Sequence, residues 1–336
     1  MARPRPVLSE MPFHVLTKII KLAGGTVTRC RLRKCSKSLQ YAVDHTSHHF
    51  DSFSLSIQGD NVDIMFEEST NSITVLNYNY HPDGCLVTVD EWYGLPRSGK
   101  ILYKRDFAVQ AVDDLCTLLK NPNLTIGKFK VVVKSMFENN EIWTESVETF
   151  LNKFHEKFGR HRHKLRAEEF FIHFHDNTQN EVLHFLPHFE PKWLKTIKIE
   201  KCGENQGDLG KINQITELEQ WKNAEHLDIT HISEIVPGVE LKNFKTISVG
   251  VPWISSNNLK ELVEAFTHSQ NFVHCQIICT DLSRHVLKMQ FGESVSLDPK
   301  QKFERVIKSE TGNDEWLKIT VHKYTIDFVK ILPVNF

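Results

Sequence analysis

Leu218-Glu219-Gln220-Trp221-Lys222-Asn223-Ala224-Glu225-His226-Leu227-Asp228-Ile229 is the stretch whose reading decides the fold of this chain. A helical pattern over 211–222 runs into Ala224, Leu227 and Ile229, which are spaced as apolar, two others, apolar, one other, apolar. The last two positions have the period of two that puts side chains on one face of a strand. The motif recurs upstream as Ile126/Phe129/Val131, Ala167/Phe170/Ile172 and Leu194/Ile197/Ile199. Downstream it appears as Phe244/Ile247/Val249, Phe272/Cys275/Ile277 and Trp316/Ile319/Val321. The intervals of roughly 20–40 residues lie close to the leucine-rich-repeat period. Helical candidates at 107–120, 141–157, 178–188, 211–222 and 257–268 fill the gaps. Each copy reads as a strand entering a shared core, with the helices covering one side, which makes an irregular leucine-rich-repeat-like β/α solenoid. An ordinary α/β domain whose buried strands look alike is the alternative.

Upstream the pattern changes. Over 50–106, Phe53, Leu55 and Ile57 alternate with polar residues, as do Val62, Ile64 and Phe66, and Ile73, Val75, Val87 and Val89 follow. His81-Pro82-Asp83-Gly84 supplies a turn, so the segment reads as an antiparallel β connector. Over 8–46, Met11, Val15, Leu16, Ile19, Ile20 and Leu22 recur at helical spacing behind Pro12, and Gly24-Gly25 stops the helix. A second helical stretch carries Leu32, Cys35, Leu39 and Val43. The expected class is α+β.

Composition narrows the function classes. The chain has 336 residues, enough for two or three domains, with 40% hydrophobic and 25% charged residues. A formal net charge of -1 gives no support to a dedicated nucleic-acid binder. The 7 cysteines have no paired spacing, and no leader or long apolar run stands out. Free thiols in a cytoplasmic and/or nuclear compartment are the expectation, with no membrane association.

Motifs for chemistry are sparse. Gly94-Leu95-Pro96-Arg97-Ser98-Gly99-Lys100 has the spacing of a phosphate-binding loop, but Ile101 stands where a Ser or Thr must hold magnesium. The residues after it read as a strand, whereas a phosphate loop opens a helix. His173 and His175 share a strand face without a third ligand at recognisable spacing. The basic run Lys153–Arg166 reads as a solvated helix end and loop. No cofactor and no catalytic residue is expected. A nucleotide- or metal-dependent enzyme is the distant alternative.

The N-terminal segment resembles an F-box. Leu8, Met11-Pro12, Val15-Leu16, Ile19-Ile20, Leu22 and Leu32-Arg33-Lys34-Cys35-Ser36-Lys37-Ser38-Leu39 carry the likeness, with departures at Cys30, Cys35-Ser36 and Gly24-Gly25. Leu218–Ile229 looks like the signature of the FTH domain, which accompanies the F-box in the nematode-expanded F-box-A group. The resemblance implies an F-box at 7–48, the connector at 50–106 and an FTH-type β/α recognition domain at 107–333. It implies a substrate-recognition subunit of an SCF-type ubiquitin ligase. Its partners would be a Skp-type adaptor, a cullin complex through the adaptor, and a target protein of unknown identity. A non-degradative or RNA-regulatory adaptor using the same F-box is the alternative.

Two sets of residues are then candidates. Leu8, Pro12, Val15, Leu16, Ile19, Ile20, Leu32 and Leu39 would meet the adaptor. The residues between the last two apolar positions of each motif point away from the core. These are Lys130, Phe171, Lys198, Asp228, Ser248, Gln276 and Thr320, and with His173 and His175 they are the substrate-binding candidates.

Overall fold

A computed structural model describes residues 8–22, 25–68, 72–91, 98–133, 141–160, 163–174, 180–201, 212–230, 232, 237–292, 303–308 and 315–331. They fall into two compact units, Met1–Glu168 with His188–Glu190, and Glu169–Pro187 with Pro191–Phe336.

The first unit opens with α1 (Phe13–Leu22), α2 (Thr26–Arg33) and α3 (Lys37–His45). Leu16, Ile20, Leu39 and Ala42 form a small buried cluster, with Leu8, Met11, Leu32 and Val43 packed around it. The Ser36 hydroxyl accepts from the Leu39 N–H and caps α3. The meander follows as β1 (His48–Ile57), β2 (Asn61–Glu68), β3 (Ser72–His81), β4 (Gly84–Glu91) and β5 (Ser98–Tyr103). These strands pair antiparallel in sequence order, and the turn at 82–83 lies between β3 and β4. Then α4 (Phe107–Leu118), capped by Asp106, packs on β2, β3 and β4. It carries the chain back to β6 (Leu124–Val133), which pairs parallel with β1. Ring stacking of Phe53 on Phe129, 5.2 Å apart, marks that seam. Gly127 is required there, because a Cβ would sit 2.6 Å from the Asp51 carbonyl oxygen. α5 (Glu141–Phe158) packs on α4 through Phe150, Phe154 and Phe158.

The helices are fastened to the sheet by a polar knot. Glu68 accepts from the Thr26 backbone N–H at 2.7 Å and from its hydroxyl at 2.6 Å. That hydroxyl also meets His48 Nε2 at 3.0 Å. Asn121 donates to the Thr46 carbonyl and Asn123 to that of His45. Burial, reinforced by the nearby Arg29 guanidinium, pushes the His48 imidazole down to about 4.

The second unit contains β7 (Arg166–Phe174, from Glu169 on), α6 (Asn180–Phe185), β8 (Thr196–Lys201), α7 (Asn213–Thr216), α8 (Glu219–Asn223), β9 (His226–Ile229), α9 (Gly238–Leu241), β10 (Thr246–Trp253), α10 (Ser256–His268) and β11 (His274–Asp281). It closes with α11 (Arg284–Phe291), β12 (Phe303–Lys308), β13 (Trp316–Val321) and β14 (Thr325–Ile331). Strands β7 to β11 are parallel neighbours in sequence order, as helical crossovers between them require. The apolar motifs stack in register: Phe170, Ile197, Leu227, Ile247 and Cys275 align, and so do Ile172, Ile199, Ile229, Val249 and Ile277. All are buried.

One backbone device repeats at the strand entries. The Lys195 carbonyl accepts the N–H groups of both Glu225 and His226. The Glu225 carbonyl accepts those of Lys245 and Thr246, and the Lys245 carbonyl those of Val273 and His274. Each acceptor directly follows the first apolar residue of its motif, so the two residues before the strand turn that carbonyl toward the next repeat. Trp221, the centre of the deciding stretch, is buried edge-on against Phe244, with its N–H on the Glu240 carbonyl.

The C-terminal end departs from the expected solenoid. β14 enters between β11 and β13, and both junctions are antiparallel. The copy at Trp316 is therefore phased differently: Leu317, Ile319 and Val321 are buried and Trp316 is half-exposed. β13 is approached from a β-ladder rather than a helix, so the three-residue entry is lost, and Thr320 is buried between Ile319 and Val321.

The depressed His48 value lies below the 6.5 of an ordinary imidazole, so protons bind the unfolded chain more tightly. Stability of the helix-to-sheet junction should fall as pH drops from 6.5 toward 4 and level off below that. One such proton gives a slope of at most about 1.4 kcal/mol per pH unit. Urea unfolding at a series of pH values checks this, and His48→Gln should flatten that part of the profile.

Candidate functional site

On the helices of the first unit, packing sorts the adaptor candidates into two groups. Leu16, Ile20 and Leu39 are buried among themselves, with Leu8 and Leu32 packed against them. Leu16, Ile20 and Leu39 hold the helices together and present no surface of their own, whereas Leu8 and Leu32 stay half-buried. Pro12 is exposed, and Val15 and Ile19 are half-buried. With Leu22, 86% exposed, they follow the i, i+3, i+7, i+10 progression of one stripe along α1. Phe13 and Tyr41 add a second exposed aromatic contact, with centroids 5.6 Å apart. On and between the same three helices Lys18, Lys21, Arg31, Lys34 and Lys37 are exposed and have no ion-pair partner among the described residues. Arg33 is different, because it forks onto Asp44 at 2.7 and 3.1 Å. Phe13, Leu22 and Tyr41 were missed because a sequence pattern does not reveal which side of α1 receives α3.

In the second unit the candidates between the apolar positions line up. Phe171, Lys198, Asp228, Ser248 and Gln276 are successive partners across β7 to β11. Asp327 of β14 follows, then Thr320 of β13. They form one continuous row on the face opposite the apolar stack. Lys130 lies on β6 of the first unit, in register with Ser54. His175 and Gly94–Arg97 lie outside the described residues. Asp327 was missed although Ile326 and Phe328 flank it with the alternation of a strand.

The row is electrostatically organised. Lys198 Nζ is 2.8 Å from Glu200 and 3.3 Å from Asp228, and these bonds raise its pKa above the ordinary lysine range, Glu200 contributing most. The same ammonium lies 5.3 Å from the centre of the Phe171 ring. Phe171 is 7% exposed. The ring therefore presents no open aromatic anchor; its own neighbour on β8 covers it, and His173 stacks at 6.2 Å. Farther along, Gln276 donates to Asp327 at 3.0 Å, and His274 lies 3.7 Å from the same carboxylate. His226 meets the Thr246 hydroxyl at 2.7 Å. The surface offers alternating donors and acceptors, suited to a polar partner.

Elsewhere, Ser98–Tyr103 forms a strand, so Lys100 opens no helix for phosphate binding. In the basic run, Lys153 and Arg160 pair with Glu156, and Lys157 with Asp113. The described residues contain no group of three or more side chains placed to hold a metal, and no helix long and apolar enough to cross a membrane.

Residues 148–294 match the family model of the FTH domain. The match runs from within α5 through α11 and contains β7 to β11 with every repeated carbonyl junction between them. The row from Phe171 to Gln276 thus lies within the matched residues. No curated protein matches the chain.

Removing the Phe171 ring should leave a void under Lys198 and cost about 3 kcal/mol in urea unfolding, as for other buried aromatics. Ser248→Ala on the same row should stay within about 0.5 kcal/mol of the parent.

Proposed function

We propose that this protein is a non-catalytic substrate-recognition subunit of an SCF-type ubiquitin ligase. The observation that carries the reading is the accessible apolar stripe Pro12–Val15–Ile19–Leu22, on helices that also expose five cations without an ion-pair partner among the described residues, in a chain whose residues 148–294 match the FTH domain. The FTH domain accompanies the F-box in the nematode-expanded group that the sequence resembles. A Skp-type adaptor would cover the stripe, burying apolar area at its centre while carboxylates on the adaptor meet Lys18, Lys21, Arg31, Lys34 and Lys37. The accessible part of the row, from Lys198 to Gln276, would hold the target protein. Ubiquitin transfer would occur elsewhere in the complex, with this chain supplying proximity. Six described cysteines are free thiols, in keeping with a cytoplasmic or nuclear setting.

The buried cluster dictates the test. Leu16→Asp would put a charge inside the helical core and unfold it, which says nothing about a partner. Ile19→Asp with Leu22→Asp changes the accessible stripe instead. That double variant should keep the parent melting temperature and lose adaptor and cullin from affinity purifications of the full chain. Undiminished adaptor recovery from the folded variant overturns the reading.

A further inference from the structure

The far edge of the meander has binding chemistry that neither surface above uses. β5 pairs with β4 on one side, and no described strand pairs with the other. The Lys104 N–H donates to the Asp83 carbonyl at 2.8 Å, in line with the β4–β5 register. Antiparallel ladders alternate, so Leu102 and Lys100 also bond inward, while the N–H and C=O groups of Gly99, Ile101 and Tyr103 face outward. Such a row is a template for another strand.

The edge is also cationic. Lys100, Lys104 and Arg105 are exposed, and none has an ion-pair partner among the described residues. Lys104 has φ 55, the one positive value at a non-glycine position among the described residues, and it turns the chain sharply off the strand. At that corner lies a groove of about 510 Å3, lined in part by Tyr80, Asp83, Tyr103, Lys104, Arg105 and Asp106. Tyr80 and Tyr103 are 65% and 72% exposed. The groove's carboxylates are engaged locally: Asp106 accepts from the Val109 N–H at 2.9 Å, and Asp83 lies 3.9 Å from His81.

We propose that the β5 edge binds an extended acidic peptide segment of a partner protein as an added strand. Its backbone pairs with Gly99, Ile101 and Tyr103. Its carboxylates meet Lys100, Lys104 and Arg105, and an apolar side chain lies against the tyrosines. Tyrosines beside cations also suit single-stranded RNA. The outward amide row favours a peptide, because a sugar-phosphate backbone cannot complete a β-ladder. The proposal is independent of the ubiquitin-ligase reading.

The test is fluorescence anisotropy with the full chain and a labelled peptide of alternating Val and Glu. Saturable binding that weakens with added salt is expected. Lys104→Gly with Arg105→Ala should weaken it about tenfold or more, the effect of losing charged hydrogen bonds. Glycine suits the positive φ, so this variant should keep its fold. Methylating alternate backbone nitrogens of the peptide should cause a comparable loss without touching the protein. Equal binding of the methylated peptide, or of one with Gln in place of Glu, overturns the proposal. So does binding of an RNA oligonucleotide with none of the peptide, or no saturable peptide binding at all.

Discussion

The carbonyl that follows the first apolar residue of three successive motifs fixes the register from β8 to β11. By accepting two N–H groups from the next repeat, Lys195, Glu225 and Lys245 each lock their neighbour in both height and phase. Strand side chains alternate, so a slip of one residue would turn every core side chain outward and every polar one inward. With the lock in place, five aligned apolar residues form each layer of the core, and the opposite face receives one residue per strand in a row. The interaction surface is thus a by-product of core register. Its composition can vary freely as long as the apolar motif and the turn before it are kept.

Both candidate surfaces consist of what packing leaves over. On α1 the apolar residues exceed what α3 can cover, so Leu16 and Ile20 go inward while Val15, Ile19 and Leu22 stay accessible. Apolar side chains left accessible in one stripe are the feature on which the proposed adaptor contact rests. On the polar face of β7 to β11 the reverse holds. An aromatic ring that would be conspicuous in the sequence is covered by Lys198, whose charge is balanced by Glu200 and Asp228. The outcome is a polar surface, organised by hydrogen bonds and charge more than by apolar area.

Much of this was legible in the sequence. The motif spacing marked β6 to β11 and the polar row, because period two and a turn of fixed length are properties of the chain itself. The helices at 107–118, 141–158 and 256–268 carried a sufficient apolar face. What escaped depends on pairing. β14 has ordinary alternation, and nothing in Thr325–Ile331 announces that it inserts beside β11. The direction of β13, and hence the phase at Trp316, follows from that insertion. The burial of Phe171 arises from a neighbour on another strand, and the inward turn of Leu16 and Ile20 from a helix that comes later. These are cross-element facts, and no local pattern encodes them.

The equivalence of the carbonyl junctions has a consequence for how such chains can change length. Every boundary from β8 to β11 is closed by the same pair of amides on the same carbonyl, so a whole repeat duplicated or deleted there would meet matching ends on both sides. The boundary after β11 is not interchangeable: the Val273 carbonyl accepts from Lys330 of an antiparallel strand, and a further parallel repeat would find its acceptor taken. Copy-number drift is therefore permitted inside the array and blocked at its C-terminal end, where β12, β13 and β14 act as a stopper.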